Sequence, residues 1–352
     1  MMLKKINAWV EERLDLSTLR HLTLEKTVPK HRYTPLHLFG GVALFFFTVQ
    51  IVTGILLLLY YKPTAGEAFK SVEFIVTQVP YGWLIRSIHS WSANLMILAI
   101  FIHMFAKYFL KAYRKPRELT WVSGFILLVL AMGFGFTGYL LPWNELAFFA
   151  TGVGTESVAA TPVIGHWLLL ILRGGENVTG ATLSRFFAIH VTVLPLVIIG
   201  ILSIHLLLIQ AQGMSKPIGI KEKGEIPFVP NFMLRDLMMW LGALIVLVGL
   251  ATFFPWELGH AVDTFASAPA GIKPEWYFLS MYQTLKWMPP FFIGISGELI
   301  GITLISIAGA LVLLVPFLDR KASREEKSPW FTIIGVLAII FLIAITIYAR
   351  FS

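Results

Sequence analysis

Seven stretches of about twenty predominantly apolar residues divide this chain, near 36–60, 84–111, 121–141, 186–210, 233–254, 298–318 and 330–349. Twenty residues of α-helix reach roughly 30 Å, the thickness of a bilayer's hydrocarbon layer, so each stretch reads as a spanning segment. In lipid every backbone polar group must be bonded within the protein, which favours a helical bundle. The expectation is an all-α polytopic membrane protein with seven transmembrane helices. A hydrophobic content of 57%, a charged content of 14% and a mean hydropathy of +0.76 exclude an ordinary soluble domain. A formal charge of +8 would suggest nucleic acid in a soluble protein; here the placement of the charges matters more, and no nucleic-acid partner is expected.

Three connections are long and rich in Gly, Pro and aromatic residues (61–83, 142–185, 255–297), whereas the others are short and basic. Lys4, Lys5, Arg13, Arg20, Lys26, Lys30 and Arg32 precede the first span. Lys107, Lys111, Arg114, Lys115 and Arg117 lie between the second and third. Lys216, Lys221, Lys223 and Arg235 lie between the fourth and fifth, and Arg320, Lys321, Arg324 and Lys327 between the sixth and seventh. Twenty of the 28 basic residues thus share one side, which the positive-inside rule makes cytoplasmic, with the N-terminus inside and the C-terminus outside. Residues 1–35 show no apolar run before a cleavage site and read as a mature N-terminus. Ile6, Trp9, Val10 and Leu14 recur there at helical spacing beside charges, as in a short helix lying in the membrane interface; a solvated tail is the alternative. Three units are expected: an N-terminal interfacial segment (1–35), a four-helix bundle (36–212) and a three-helix C-terminal domain (213–352), jointed at Gly213–Pro230.

Four of nine histidines fall deep inside spans: His89 and His103 in the second, His190 and His205 in the fourth. Such placement is costly unless the side chains are used. At 100° per residue, a separation of 14 falls 40° short of four turns and one of 15 overshoots by 60°, so each pair shares a helix face, its members roughly 21 to 22 Å apart along the axis. Both helices enter from the same side, so His89 levels with His190 and His103 with His205. Two tiers of facing imidazoles suit axial ligation of two haem b irons and leave no open coordination position. One intramembrane histidine alone is often a packing residue; four in matched pairs point to ligation. Gly40 and Gly54, and Gly124 and Gly138, repeat the 14-residue interval, as close approach of backbone to a flat macrocycle requires, although small residues also serve ordinary helix packing. Arg86 and Arg185 lie just outward of a ligand, placed either to pair with a haem propionate or to snorkel to the interface. The chain has no cysteine, which excludes thiolate-ligated clusters and thioether-linked haem c within it.

Gly82-Trp-Leu-Ile-Arg-Ser-Ile-His89 and Ser184-Arg-Phe-Phe-Ala-Ile-His190 with Pro195 resemble the haem-ligand motifs of cytochrome b. Gly138-Tyr-Leu-Leu-Pro-Trp143 and Pro162-Val-Ile-Gly165 resemble that family's stretch between the third and fourth helices, and Pro274-Glu-Trp-Tyr277, after Lys273, its outer quinol-site signature. The resemblance runs from about residue 30 to the C-terminus. The 15-residue second interval and seven spans are similar to the plastid-type b-six-f branch, here in fused form. That branch attaches an extra haem c through a cysteine whose place is taken by Leu38, so no covalent haem c is expected.

The resemblance implies the cytochrome b subunit of a quinol:cytochrome c oxidoreductase-type bc complex in respiratory or photosynthetic electron transport. Quinol is oxidised at an outer site; one electron goes to a Rieske iron–sulfur protein and then a c-type cytochrome or equivalent acceptor, the other through two b haems to a quinone at the inner side. It also implies a homodimeric complex, and a bacterial cytoplasmic membrane as the location. Glu275, a carboxylate among Trp276, Tyr277 and Phe278, is placed to accept a quinol proton, with Tyr139 and Tyr277 lining the pocket and Gly152 and Pro274 shaping it. At the inner site Gln210 stands where mitochondrial-type relatives have histidine. Arg235 and Asp236 match a basic–acidic pair that either relays protons or pairs locally. A di-haem membrane anchor of a dehydrogenase would share the histidines but not the Pro-Glu-Trp-Tyr loop, and a proton-relay transporter would hold no haem.

Overall fold

The computed structural model describes residues 2–14, 25–221, 223–269 and 271–352; Arg20 lies outside them. Helix α1 (Met2–Leu14) leaves Ile6 and Trp9 exposed, with the Arg13 guanidinium 4.4 Å from the Trp9 ring. Strand β1 (Thr27–Pro29) leads into a short 3₁₀ turn and α2 (Phe39–Leu58). Then come α3 (Ala68–Thr77), α4 (Gly82–Phe109), α5 (Glu118–Leu140), α6 (Glu145–Ala159), α7 (Gly165–Arg173) and α8 (Gly180–Ala188). A π turn over Ile189–Val193 carries α8 into α9 (Leu194–Gln212). Strand β2 (Glu225–Pro227), α10 (Met233–Phe253), α11 (Trp276–Lys286), the hairpin β3 (Phe291–Phe292) and β4 (Ile295–Ser296), α12 (Gly297–Leu318), the single turn α13 (Arg320–Ser323) and α14 (Pro329–Phe351) complete the chain.

Seven helical segments among the described residues are long and apolar enough to cross a membrane: 34–58, 82–109, 118–140, 180–212, 228–253, 297–323 and 329–351. They match the seven expected stretches, most beginning a few residues earlier because capped amphipathic turns precede the apolar runs. The fourth starts at a capping box in which Thr179 and Thr182 satisfy each other's free backbone groups. The protein is an integral membrane protein, and many of its large exposed residues, such as Leu196, Leu207, Ile245 and Leu337, lie on spanning helices where lipid replaces water. The three long connections carry α3, α6, α7 and α11, all gathered at the face opposite the basic loops.

The two parts of the chain are docked at the basic face. Strands β1 and β2 pair antiparallel, Val28 opposite Ile226, stitching the segment before the first span to the connection after the fourth. Tyr113 donates to the fully buried Asp319 carboxylate (2.7 Å), Trp121 Nε1 to the Val312 carbonyl (2.9 Å) and the Tyr108 hydroxyl to the Phe331 carbonyl (2.6 Å). Arg114 reaches the Ser215 hydroxyl and the Lys216 carbonyl. At the opposite face, the Ser87 hydroxyl donates to the Ala251 carbonyl at 3.1 Å and accepts from the Trp256 amide, also at 3.1 Å.

Candidate functional site

Helices α2, α4, α5 and the α8–α9 segment enclose two cavities, one above the other. The first, about 420 Å³, is lined by His89 and His190 together with Gly54, Gly138, Arg86, Asn94, Tyr139 and Tyr277. The second, about 430 Å³, is lined by His103 and His205 with Gly40, Gly124, Lys26, His37, Lys107, Arg117, Gln210 and Asp236. Each expected tier of histidines therefore faces one space.

The unequal intervals are reconciled by the π turn. Leu194 donates its amide back to Ile189, five residues earlier, and Pro195, having no N–H, leaves the helix free to widen there. One residue is absorbed as a bulge at His190, so the 15-residue spacing acts as 14 and both pairs share a phase.

The four 14-spaced glycines sit against the four imidazoles, one each. A Cβ at Gly138 would lie 2.6 Å from His190 Cε1, at Gly40 2.9 Å from His103 Cε1, at Gly124 3.1 Å from His205 Cε1, and at Gly54 3.4 Å from His89 Cε1. In three cases the residue before the glycine is a hydroxyl that holds the ring. Thr53 Oγ1 lies 2.8 Å from His89 Nδ1, Ser123 Oγ 2.9 Å from His205 Nδ1 and Thr137 Oγ1 3.1 Å from His190 Nδ1. Each hydroxyl already donates to a carbonyl one turn back (Val49, Thr120, Gly133), so it accepts the Nδ1–H of a neutral imidazole. That leaves the Nε2 lone pair, which a metal requires, unencumbered. Sequence reasoning missed these hydroxyls, although the Thr-Gly, Ser-Gly and Thr-Gly dipeptides were its signal. Before Gly40 stands Phe39, and His103 Nδ1 is buried without a hydrogen-bond partner among the described residues. No cluster of three or more His, Cys, Asp or Glu side chains that could hold a bare ion occurs among the described residues. Two facing imidazoles fit instead a group that brings its own equatorial ligands.

The relatives decide the family. A cytochrome b/b6/petB family profile matches residues 23–213, and a cytochrome b (C-terminal)/b6/petD profile matches residues 263–351. The cytochrome bc complex cytochrome b subunit of Chlorobaculum thiosulfatiphilum is 52% identical over 99% of this chain and 82% of its own length. The chain belongs to the cytochrome b/b6 family. Cytochrome b6 of Heliobacterium mobile is 46% identical over 59% of this chain and 99% of that protein, so a separate b6 polypeptide corresponds to the first four spans. The solved structure of a hyperthermophilic respiratory Complex III superposes with a TM-score of 0.85 at 31% identity, covering 97% of this chain and 91% of that one. Membership of the cytochrome b family implies haem b.

The remaining candidate residues divide into those brought together and those not. At the first cavity, α11 presents Tyr277, whose hydroxyl packs on Gly135, and Tyr139 lies on the same wall. Glu275 precedes α11, largely buried; burial raises its carboxyl above the ordinary value, and the nearby carboxylate pushes the Tyr277 phenol, already raised by burial, higher still. Trp276 donates to Asn94 Oδ1 on the cavity wall (2.8 Å), and the rings of Phe278 and Phe136 lie 6.1 Å apart. Pro274 lies in the irregular segment that leads through Glu275 into α11. Gly152 opens onto free space and its carbonyl accepts from Arg173 (2.8 Å), a buried guanidinium that ties α6 to α7 and went unnoticed in the sequence.

Two arginines find partners of different kinds. Arg86 lines the first cavity, but its terminal nitrogens donate to the Trp256 and Glu257 carbonyls at 2.5 and 3.2 Å, because burial obliges a guanidinium to find acceptors and the 255–297 connection supplies them. Arg185 is exposed, packs over Gly174 and does not line the cavity; its offset from His190 carries it round to the far side of α8. Arg235 and Asp236 also separate. The Asp236 carboxyl packs on Gly41 at the second cavity with Oδ1 unpaired, while Arg235 is exposed, so the two form no local ion pair among the described residues. Unforeseen at this end are Lys107, hydrogen-bonded to His37 Nδ1, and His31, whose Nε2 lies 3.3 Å from His37 Nε2. Lys26 bonds Gln210 Oε1 and, through burial, has its amine lowered below the ordinary value.

Proposed function

We propose that this chain oxidises a quinol at the face opposite its basic loops, takes up its proton there on Glu275, and delivers an electron to a quinone beside the second cavity. Family membership makes it the cytochrome b subunit of a bc-type complex, a quinol:cytochrome c oxidoreductase-type assembly homologous to Complex III. In this reading His89 and His190 would hold one haem b, and His103 and His205 a second. The observation that carries it is the register of four glycines against four imidazoles, three of them held at Nδ1 so that Nε2 is free. Bound there, haem b supplies one-electron redox capacity at two depths of the membrane.

The chain's own residues do the rest. Thr53, Thr137 and Ser123 fix the imidazole tautomer and orientation. Glu275, desolvated but able to ionise, is a base whose raised pKa lies closer to working pH than that of an exposed carboxylate, and proton transfer gains from that match. Tyr139 and Tyr277 bound the pocket and hold substrate oxygen, Trp276 and Pro274 set the loop, and Gly152 leaves room. Arg86 fixes the connection bearing Glu275. At the second cavity Asp236, with Lys26, Lys107 and Gln210, surrounds the quinone. The chain is proposed to work with a Rieske protein and a c-type or equivalent acceptor in a dimeric complex, its basic face in the cytoplasm of a bacterium. The N-terminal segment, the four-helix haem bundle and the three-helix part carrying the quinol loop are the proposed working divisions.

Glu275→Gln tests this. Turnover of quinol falls by about 10²- to 10⁴-fold while both haems remain bound. In the parent protein, the rate is lost as pH falls through the raised Glu275 pKa, above the ordinary carboxylate range; the Gln variant lacks that acid limb. Unchanged turnover removes Glu275 from the role.

A further inference from the structure

Between α11 and α12, residues 287–297 carry no charge and include the hairpin Phe291-Phe292-Ile293-Gly294-Ile295-Ser296. Phe291 pairs with Ser296 and Phe292 with Ile295. The two tip residues have φ of 52° (Ile293) and 77° (Gly294), the left-handed pair that a two-residue primed turn demands. Asn or Gly normally occupies the first of these positions; a β-branched residue there is strained. Here it places an isoleucine 86% exposed at the apex, flanked by Phe291 at 71% and Phe292 at 58%. The chain tolerates backbone strain to keep this exposed tip apolar.

The hairpin is not free to fold away. Gly297 donates to the Pro290 carbonyl (3.0 Å), closing its base, and Ser296 caps α12 through the Leu299 amide (3.3 Å), so it is rigidly continuous with a spanning helix. Its depth is set by neighbours. Trp287 lies 5.3 Å from Tyr348 near the end of α14, and Lys273 donates to the Arg350 carbonyl, an aromatic and cationic level of the kind that marks a membrane–water boundary. The apolar tip is thus continuous with the lipid-facing surface of α12 and α14.

We propose that this hairpin is a lipid anchor, its Phe291, Phe292 and Ile293 side chains embedded in the leaflet opposite the basic face. The anchor steadies the start of α12 and, through α11, the position of the loop bearing Glu275. Because the chain contains no cysteine, single-cysteine variants report unambiguously. Ile293→Cys and, as a control on an exposed loop, Ser267→Cys are spin-labelled on the full-length chain, checked for native circular dichroism and reconstituted in phosphatidylcholine–phosphatidylglycerol vesicles. The label at 293 is expected to collide with oxygen and to be shielded from a water-soluble nickel chelate, with the reverse at 267. Phe292→Asp in the Ile293→Cys background is expected to restore access of nickel. Ready access of nickel to the label at 293 in the single variant overturns the proposal. Shielding from both reagents also overturns it, because a second copy of the chain then covers the tip. Neither result bears on the haem or quinol assignments.

Discussion

The two cavities are cut between the same helices and bounded by the same pairs of histidine and glycine, yet their surroundings differ. The first is walled by Tyr139, Tyr277, Phe134, Phe187 and Asn94, its one full charge, Arg86, being consumed by backbone carbonyls. Both its imidazoles are held at Nδ1 by threonine. The second is ringed by Lys26, Lys107, Arg117, His37 and Asp236, and only His205 has a hydroxyl partner. A surplus of nearby positive charge favours adding an electron, and the first cavity has only Arg86 to supply it among its lining residues. A one-electron carrier in the second cavity should therefore hold its electron more tightly than one in the first, and the proposed electron path would then run downhill towards the basic face.

The largest test of this contrast removes one ligand at a time. His89→Ala or His190→Ala should cost one haem, and His103→Ala or His205→Ala the other, so that a pyridine haemochrome assay on the purified chain falls from two protohaems to one. Redox titration should then show loss of the lower-potential component for the first pair of variants and of the higher for the second. Loss of the same component in both sets would break the pairing by depth.

A smaller, graded effect is expected at the glycines. Gly138→Ala brings a methyl to 2.6 Å from the His190 ring, too close without displacement, whereas Gly54→Ala reaches only 3.4 Å from His89, near ordinary contact. Haem retention on heating should fall clearly in the first and little in the second; equal losses would mean that the glycines serve helix packing instead.

The smallest effect concerns the hydroxyls. Removing the partner in Ser123→Ala or Thr137→Ala forfeits a hydrogen bond of about 0.5–1.5 kcal/mol and loosens the tautomer, weakening haem retention by up to roughly tenfold. Phe39→Ser offers His103 the partner it lacks and should tighten the second site by a comparable amount. A Ser123→Ala variant indistinguishable from the parent would show that ring orientation is set by packing alone.

Much of this was legible in the chain because membranes restrict the choice of structure. Apolar runs of spanning length gave seven helices, and helical arithmetic put His89 with His103 and His190 with His205 on single faces. The 15-residue interval also spoke, but of a π turn that periodicity could not place. Thr53, Ser123 and Thr137 were passed over because a hydroxyl one residue from a glycine has no meaning until the neighbouring helix is known. The hydrogen-bond partners of Arg86 were out of reach for a related reason: sequence offset fixes depth along a helix but not which acceptor a buried guanidinium will find. His31 lies before the first span and His37 in the 3₁₀ turn that opens it, where no α-helical period constrains them.

By itself, then, the sequence determined the number of spans, the spacing of the imidazoles along each helix and the side on which charge collects, since all three follow from rise, rotation and desolvation along one rod. Only tertiary structure decided which glycine meets which imidazole, that Asp236 faces a cavity while Arg235 does not, and that Glu275 lies beside two phenols. Those are relations between rods, set by how side chains interlock across an interface, and no single helix encodes them.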